Sequence, residues 1–436
     1  MNKILIIGLG SVGKGLLPLL RWKFPDVEIN ILTADPVEYD IVTEFNVYSL
    51  CTIPVTKENY EYQLGEFRLA AGDLLINAAV GVSSMDLIKW CDKNKVLYVD
   101  ACIEPWEGGY ESENVLETTN TFLRRQLIDS TMRCETTALI GMGANPGLVS
   151  AFVSEALTIM AEDHGIDPLA SDAYKACMLG VKVIQISEED TQSPYTQHPK
   201  QFTNTWSVDG LLTELKQRSE IGYGSHEPKN VAGITRIDGE VSAYLDTIGA
   251  ATKAYTWIPF KGKMDGFVLT HNESISIAES LSIRHNGYSP TVFYCYNPAP
   301  YTTQAIHEWS HSGYPEIKKE QKHVFSSDEI WIGSDTLGVL LMTDNYSFWY
   351  GSRLENIVAE NHFPYNNATT LQVTATILSG IEWMLRNPKE GVCEAHTIPS
   401  KELLSGIRPF LGDMIQSYTK WAPEGDLTFE TFRVKK

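Results

Sequence analysis

The 436-residue sequence lacks several features that define large classes of proteins. Its seven cysteines are scattered and form no Cys-x-x-Cys pair, so no disulfide framework is indicated. No window approaches the ~20 apolar residues of a membrane span. The chain also enters a strand-like run at once, without a charged leader. We therefore expect a cytoplasmic protein with reduced thiols and no membrane partner.

Positive charge is also scarce. Lys and Arg total 35 against 55 Asp and Glu, which gives a net charge of −20. Such a chain repels phosphate backbones and anionic lipids and attracts cations, so nucleic acid is not an expected partner. A hydrophobic fraction of 43% is enough for two or three domains with cores of their own.

The first motif follows an apolar strand-like run, Lys3 to Ile7, and reads GLGSVGKG. Gly8, Gly10 and Gly13 fill the G-x-G-x-x-G pattern between this strand and a helical segment, Leu16 to Trp22. In that setting, backbone N–H groups and the helix N-terminus meet the pyrophosphate of a dinucleotide. The sequence thus predicts a dinucleotide site at the start of the chain.

A second predicted strand, Val27 to Leu32, ends near Asp35. A carboxylate there could bond both hydroxyls of an adenosine ribose and would repel a 2′-phosphate, which favours NAD over NADP. The simpler alternative is an ordinary loop carboxylate. The residues predicted to bind the cofactor are Gly8, Gly10, Ser11, Val12, Gly13, Asp35, Asn77, Ala78 and Ala79.

Further strands are predicted at Leu74 to Val80, Val96 to Val99 and Ala138 to Gly141, with helical stretches between them. This alternation indicates an α/β fold with an N-terminal Rossmann domain, a doubly wound parallel sheet whose ligands bind at the carboxyl ends of its strands. Glu104 in CIEPWEGGY and Asn145 in GMGANPGLVS follow two such ends. The alternatives are a surface turn for the first stretch and a helix N-cap for Asn145.

After about residue 150 the alternation stops, which predicts a mixed α+β substrate domain. One clear helix, Val208 to Arg218, lies among strand-like runs. Near the end, Thr369 to Leu385 has helical periodicity and is expected to pack back against the nucleotide domain. The predicted domains are 1–148 for NAD binding, 149–365 for substrate and dimerisation, and 366–436 for C-terminal helices. The strand-like runs are Gly180 to Ile186, Gly266 to Thr270, Thr291 to Tyr296, Ile330 to Trp331 and Gly338 to Met342.

Acids and aromatics recur in this second part. Glu188 lies in ISEEDTQ after a strand, and Trp206 precedes Glu214 by roughly two helical turns. His271 and Glu273 are two residues apart, which predicts one face of a strand. Each of these features has a simpler explanation. ISEEDTQ could be a solvated turn, Trp206 a core residue, and His271 with Glu273 a hydrogen-bonded pair on a sheet face. Their joint occurrence favours a site.

His307 to His311 reads HEWSH and matches the H-E-x-x-H pattern of zinc hydrolases. The pattern needs a stable helix, and the flanking Pro and Gly residues leave only about a dozen residues for one. A local third ligand in the H-x-x-G-x-x-H manner is also missing. The zinc hydrolase stays an alternative, and we assign no metal ligand.

The motifs GLGSVGKG, ACIEPWEGGY, GMGANPGLVS, ISEEDTQ, NTWSVDGLLTE, THNESISI and FWYGSRL together resemble the bacterial homospermidine synthases, relatives of the saccharopine dehydrogenase-like enzymes. The resemblance runs along most of the chain. Where the family often has Arg after the acid of ISEEDTQ this chain has Glu189, so the choice of carboxylate there stays open. The active-site residues that the resemblance implies are Glu104, Asn145, Glu188, Trp206, Glu214, His271 and Glu273.

The resemblance also implies a reaction, in which an aminobutyl group passes from one putrescine to a second through imines, with release of ammonia and no net consumption of NAD. Putrescine is a dication, so its pocket needs carboxylates such as Glu104 and an aromatic face for cation–π contact. The family points to Trp206 rather than Trp106 for that face. Grouped acids would raise one another's pKa and accept protons from the amines. A homodimer is expected from the base rate for enzymes of this size.

The alternative within the same superfamily is a saccharopine or carboxynorspermidine dehydrogenase-like NAD(P) oxidoreductase. Such an enzyme would need Arg or Lys to hold an α-carboxylate. The motifs in this sequence are acidic instead.

Overall fold

The computed structural model describes residues 1–435 except residues 36, 38, 197 and 199. Its strands form a seven-stranded sheet, a ten-stranded sheet and two small two-stranded sheets. In the described part of the chain, no helix is long and apolar enough to cross a bilayer.

The strands are, in chain order, β1 Lys3–Ile7, β2 Glu28–Thr33, β3 Ser49–Thr52, β4 Leu74–Asn77, β5 Leu97–Asp100, β6 Ala138–Ile140, β7 Val183–Asp190, β8 Ser193–Pro194, β9 Phe202–Asn204, β10 Arg218–Gly222, β11 Ile234–Arg236, β12 Ser242–Ile248, β13 Lys253–Ile258, β14 Gly262–Leu269, β15 Thr291–Asn297, β16 Lys322–Val324, β17 Ile330–Ile332, β18 Ser334–Met342, β19 Ser347–Glu355, β20 Val392–Glu394 and β21 Asp413–Thr419. The helices are α1 Ser11–Lys23, α2 Tyr39–Glu44, α3 Tyr60–Glu66, α4 Ser84–Asn94, α5 Asn120–Thr131, α6 Leu148–Asp163, α7 Asp172–Leu179, α8 Val208–Lys216, α9 Asn272–Ser280, α10 Pro300–His311, α11 Asn356–His362, α12 Ala368–Arg386, α13 Ser400–Ser405 and α14 Phe429–Phe432.

The seven-stranded sheet is parallel and has the order β20-β6-β5-β4-β1-β2-β3. Its central strands are continuous apolar runs because helices cover both faces. The strand order reverses beside β1, and ligands bind at such a switch point in doubly wound sheets. The predicted α/β fold with a Rossmann sheet is confirmed. The sequence analysis missed β3 and β20, which are short and only partly buried.

The C-terminal segment returns to this sheet. Strand β20 pairs with β6, with Val392 opposite Ala138. Helix α12 packs against α1 because Gly15 lets the chain approach closely: a Cβ there would lie 2.5 Å from Oδ1 of Asn366. The amide of Asn366 donates to the Gly15 carbonyl at 2.9 Å. The segment 366–436 therefore contributes strands as well as the helices that the sequence predicts, since β21 also joins the other sheet.

The ten-stranded sheet has the order β11-β12-β10-β15-β7-β18-β19-β21, and the β13–β14 pair joins it at β15. Strands β7 and β15 are parallel, whereas β7 and β18 are antiparallel, so the mixed second sheet is confirmed. Strand β7 extends to Asp190 instead of ending at Ile186 as predicted. Two of the acids at its end, Glu188 and Asp190, are buried in the sheet between β15 and β18 rather than exposed in a turn.

Candidate active site

The glycine loop leaves room for a ligand at the carboxyl end of β1. A Cβ on Gly13 would lie 2.3 Å from the carbonyl oxygen of Gly8, and one on Gly8 would lie 2.8 Å from that of Ala78. A Cβ on Gly10 would meet nothing within 4 Å. No side chain caps the N-terminus of α1, which begins at Ser11. The loop is thus packed tightly against backbone at Gly8 and Gly13 and is open at Gly10. This arrangement fits a pyrophosphate on the N-terminus of α1.

The other predicted cofactor residues border this loop. Val12 lies in the first turn of α1. Strand β4 ends at Asn77, earlier than predicted, because the Asn77 side chain fixes a turn: its amide donates to the Val82 carbonyl at 3.1 Å, and its oxygen accepts from the Ala79 N–H at 3.3 Å. The Ala78 N–H donates to the Ile7 carbonyl at 2.8 Å. The turn at Asn77 therefore lies against the glycine loop.

Asp35 follows the end of β2, and its carboxylate is exposed. It forms an ion pair with Nζ of Lys319, at 2.6 Å, which comes from the other half of the chain. The sequence analysis gave no signal for this lysine, because the two residues are 284 positions apart.

The center of the second cluster is His271. Its Nε2 lies 3.1 Å from Oε1 of Glu214, and its Nδ1 lies 3.1 Å from Oδ1 of Asn145. The ring lies 4.6 Å from that of Tyr294. The alternative of Asn145 as an N-cap is wrong, because α6 begins only at Leu148. Asn145 instead fixes the imidazole from the edge of the parallel sheet.

The predicted strand face carrying His271 and Glu273 is also wrong. Strand β14 ends at Leu269, and the polar Asn272 and Glu273 open α9. Glu273 accepts hydrogen bonds from the Gly147 N–H at 2.7 Å and from both the N–H and the hydroxyl of Ser150. Burial raises its pKa to about 7 despite these bonds. Glu273 thus fixes the start of α6 behind Asn145.

Successive side chains of strand β7 point to opposite faces of the sheet, so the acids of ISEEDTQ lie on two different faces. Glu188 and Asp190 are buried on one face, whereas Glu189 pairs with Lys261 on the other. Glu188 accepts a hydrogen bond from the Tyr294 hydroxyl at 2.6 Å. Burial raises the pKa of Glu188 to about 7 and that of Asp190 to about 6. Two acids of the run therefore face the cluster.

Sequence reasoning missed Asp335, a lone acid at the start of the apolar strand β18. It lies opposite Asp190 in the sheet, and its carboxylate accepts from the Thr369 hydroxyl at 2.5 Å. Burial, followed by repulsion from Glu188 and Asp190, raises its pKa well above the usual range. Only the register of β18 on β7 brings Asp335 to this position.

Glu104 follows the end of β5 and accepts the Gly81 N–H at 3.1 Å. Burial, with a smaller contribution from the nearby Asp100 and Glu214, raises its pKa to about 8. Trp106 is directed elsewhere: its indole N–H donates to Asp86 at 2.7 Å. The turn at Glu104 thus presents a carboxylate toward Glu214 and leaves Trp106 packed in the nucleotide half.

Trp206 is half-buried just before α8, and its ring lies over Gly210, where a Cβ would come within 2.8 Å of Cζ3. It lies next to the Tyr296 hydroxyl, and the ring of Tyr296 stacks on that of Tyr294 at 5.6 Å. These two tyrosines of β15 were also missed. Alternation along an apolar strand gives no sign that their hydroxyls meet a polar cluster.

The cluster contains many acids and almost no basic groups. In the described part of the chain, none of its five carboxylates forms an ion pair with Lys or Arg, and His271 is their one possible cationic partner. Buried carboxylates without counter-ions are costly, so the arrangement fits a ligand that brings positive charge. The five carboxylates are Glu104, Glu188, Asp190, Glu214 and Asp335.

The HEWSH motif lies on α10, a helix of twelve residues. Nδ1 of His311 is bonded to the carbonyl of His307 at 2.7 Å, and Glu308 accepts from Gln304 at 2.8 Å. Among the described residues, this motif does not bring three possible metal ligands together.

Two family models match the chain, and together they define its class. The saccharopine dehydrogenase NADP binding domain matches residues 4–139, and the saccharopine dehydrogenase C-terminal domain matches residues 143–417. A saccharopine dehydrogenase from Saccharomyces cerevisiae shares the fold, with a TM-score of 0.57 at 11% identity over 96% of this chain and 100% of that one. The chain is thus a saccharopine dehydrogenase-like protein.

Closer relatives narrow this class. The homospermidine synthase of Mesorhizobium japonicum is 36% identical over 449 residues, which cover 96% of this chain and 91% of the relative. The homospermidine synthase of Blastochloris viridis is 35% identical over 442 residues, which cover 96% of this chain and 92% of the relative. The crystal structure of the Legionella pneumophila homospermidine synthase in complex with NAD is similar, with a TM-score of 0.91 at 34% identity over 100% of this chain and 98% of that one. The chain belongs to the homospermidine synthase family of enzymes.

Proposed function

We propose that the protein is an NAD-dependent homospermidine synthase that transfers an aminobutyl group from one putrescine to a second and releases ammonia. One observation carries this proposal: the five acids of the cluster form no ion pair with Lys or Arg in the described part of the chain, and one of them, Glu214, lies 3.1 Å from the single histidine of the cluster, His271. A pocket of this charge suits a substrate with an ammonium group at each end.

NAD would supply the redox chemistry, by accepting a hydride from the carbon that bears one amine and returning it to the imine formed with the second amine. The Legionella relative holds NAD, whereas the matching family model is described as NADP binding. We propose NAD for this chain because Asp35 would repel a 2′-phosphate.

Calorimetric titration of the wild type and of Asp35→Ser with both nucleotides tests this choice. We expect the wild type to bind NAD more tightly, and Asp35→Ser to bind NADP better because the exposed ammonium of Lys319 then faces the phosphate. Tighter binding of NADP by the wild type would contradict the role of Asp35.

We assign proton transfer to the group of Glu214, His271 and Asn145. An amine must lose a proton before it can give up a hydride or attack an imine. Burial lowers the pKa of His271, but the adjacent Glu214 together with Glu188 and Glu273 outweighs it, so that the pKa is raised. Asn145 bonds to Nδ1 and Oε1 of Glu214 lies 3.1 Å from Nε2, so the imidazole lies between the two halves of the chain.

We assign the binding of the ammonium groups to the remaining acids and to Trp206. Glu188, Asp190 and Asp335 form one group of carboxylates, and Glu104 forms a second beside the nucleotide loop. Two separate anionic groups match the two ends of a diamine. Trp206 offers an aromatic face, where a desolvated ammonium gains up to ~2 kcal/mol.

The whole scheme is tested by incubating the protein with putrescine and a catalytic amount of NAD. We expect homospermidine and ammonia in equal amounts, with no net NADH. Stoichiometric NADH without a secondary amine would identify an amine dehydrogenase, which is the alternative within the superfamily, and would contradict the proposal.

We also propose that the protein is a homodimer, since C₂ dimers are the commonest assembly of enzymes of this size. Light scattering should then give twice the 48.7 kDa mass of one chain. A particle with the mass of one chain would contradict this.

A cytoplasmic location is the last part of the proposal. It is supported by the seven cysteines, all of which are free thiols in the structure. Cell fractionation should recover the protein with the cytoplasmic fraction.

A further inference from the structure

Three side chains in the second half of the chain lie close together: His198, His323 and Glu329. Nε2 of His323 lies 3.0 Å and 3.2 Å from the two carboxylate oxygens of Glu329. Nε2 of His198 lies 3.3 Å from Oε1 of the same carboxylate. The two imidazole rings stack with their centroids 3.9 Å apart. Two ring nitrogens are therefore directed at one carboxylate, and all three groups are partly exposed to solvent.

The local fold fixes these groups. Strand β16 carries His323 and pairs with β9, and the ring of Phe325 packs against both imidazoles. The carboxylate of Glu329 accepts from the N–H and the hydroxyl of Ser326, at 2.8 Å and 2.9 Å. The carboxylate is thus oriented before any ligand arrives.

The distances match those between ligands of a metal ion. Two ligand atoms that each lie about 2.0–2.1 Å from a tetrahedral ion are roughly 3.3 Å apart. The separations from Glu329 to the two histidines, 3.3 Å and 3.0 Å, are close to this value. Two histidines and one glutamate are also a recurrent ligand set of zinc sites that keep a fourth position for water. A hydrogen bond to Glu329 needs only one imidazole, so it does not account for the second ring stacked on the first.

A comparison with the HEWSH motif also supports a metal site at His198, His323 and Glu329. That motif has the sequence signature of a zinc site, but its second histidine bonds to a backbone carbonyl. His198, His323 and Glu329 have no sequence signature, yet they are the group of three possible ligands that the described residues bring together. The net charge of −20 further favours the approach of cations.

We propose that His198, His323 and Glu329 bind a divalent first-row transition metal ion, with zinc as the best match to two imidazoles and one carboxylate. Bound there, the ion would join the segment that leads into β9 to the segment that follows β16. Strand β9 ends two residues before Trp206, so the metal would stiffen one wall of the candidate active site. The site itself does not depend on the function proposed above.

The test uses the full-length protein without a histidine tag, after chelator treatment. Calorimetry with Zn²⁺ should give one equivalent, and Co²⁺ should produce the visible absorption of a tetrahedral site. His198→Asn, His323→Asn and Glu329→Gln should each weaken binding by more than ~100-fold, since even the loss of an outer partner of a metal ligand typically costs 10- to 100-fold. Zn²⁺ should raise the Tm of the wild type and not that of these variants.

His307→Asn, in the HEWSH motif, and His285→Asn, at an exposed position, are the matched controls and should bind as the wild type does. The proposal is overturned if the wild type binds no metal. It is equally overturned if His198→Asn and His323→Asn retain wild-type affinity. If a variant folds poorly by circular dichroism, the Co²⁺ spectrum of the wild type decides, because a lack of tetrahedral absorption contradicts the site.

Discussion

The two halves of the candidate active site are built in different ways. The nucleotide side is made of backbone: a contiguous glycine loop, the open N-terminus of α1 and the turn at Asn77. The substrate side is made of side chains, which reach one cluster from β5, β7, β18, α8 and the start of α9. A backbone site depends on a short stretch of sequence, whereas a side-chain site depends on the register of distant strands. The two sides should therefore respond differently to substitution.

The largest effect should come from exchanging neighbouring acids of β7. Glu188→Gln should lower turnover by ~30- to 5,000-fold, which corresponds to the 2–5 kcal/mol lost when one partner of a buried charge pair is removed, because the variant lacks the buried carboxylate bonded to Tyr294 that is assigned to an ammonium group. Glu189→Gln, on the opposite face, loses only a partly exposed pair with Lys261 and should stay within about threefold. Rates of homospermidine formation measure both. Equal losses in the two variants would contradict the assignment of Glu188 to the cluster.

On the nucleotide side, Gly10→Ala should weaken NAD binding by about 5- to 150-fold, which corresponds to the 1–3 kcal/mol of overpacking, because its Cβ would occupy the space left open for the ligand. Its Tm should stay that of the wild type. Gly13→Ala should instead lower the Tm, since its Cβ would overlap the Gly8 carbonyl. Calorimetry and thermal melts separate the two effects. Unchanged NAD affinity in Gly10→Ala would argue against this loop as the binding site.

Trp206 should show a smaller effect. Trp206→Phe should retain part of the activity, whereas Trp206→Ala should lose ~5- to 30-fold more, as expected for 1–2 kcal/mol of cation–π interaction. Gly210→Ala is the sharper test, because its Cβ would displace the indole while alanine favours helix α8. It should lower turnover without lowering the Tm. If Trp206 is only a core residue, these variants should lose stability and keep their activity per folded molecule.

The smallest effect concerns stability and pH. The pKa of Glu104 is raised to about 8, so the folded chain keeps a proton that the unfolded chain releases above its usual pKa. The unfolded state then binds fewer protons between these two pKa values, and the stability of the free protein falls as pH rises through that window. Glutamine does not titrate, so the stability of Glu104→Gln should not fall in this way. Its Tm at about pH 8.5 should exceed that of the wild type by a few degrees.

Below the usual pKa of a glutamate the two proteins should melt alike, because both states then bind the proton. Thermal melts across pH measure this. A lower Tm for Glu104→Gln at high pH would mean that Glu104 is already ionised in the free protein. Added putrescine should stabilise the wild type at high pH and the variant much less, since the variant lacks the carboxylate.

The difference between a site made of contiguous backbone and a site made of distant side chains also explains which parts of the site could be predicted from the sequence. The glycine loop was recognisable because strand, turn and helix are contiguous. Glu188 and Trp206 were first noticed among recurring acids and aromatics, a resemblance to a family then implied their place in the site, and their roles stay predictions. Asp335 and Tyr296 gave no local signal, since a lone acid or tyrosine in an apolar strand is usually structural. Lys319 and the cluster of His198 with His323 and Glu329 depend on contacts between segments more than a hundred positions apart. His271 was found although its predicted strand was wrong, because the residue types were distinctive.

The return of β20 and α12 to the first sheet has a consequence for biosynthesis. A ribosome delivers β1 to β6 early, but the strand that covers the edge of β6 and the helix that covers α1 are made only after residue 365. The nucleotide half is therefore not a transferable module, and it must wait for the substrate half to be synthesised before its sheet is complete. A fragment of residues 1–365 should accordingly expose apolar surface on α1 and bind the dye ANS, whereas the full chain should not. The segment after residue 365 thus adds a strand to each of the two large sheets and connects the two halves.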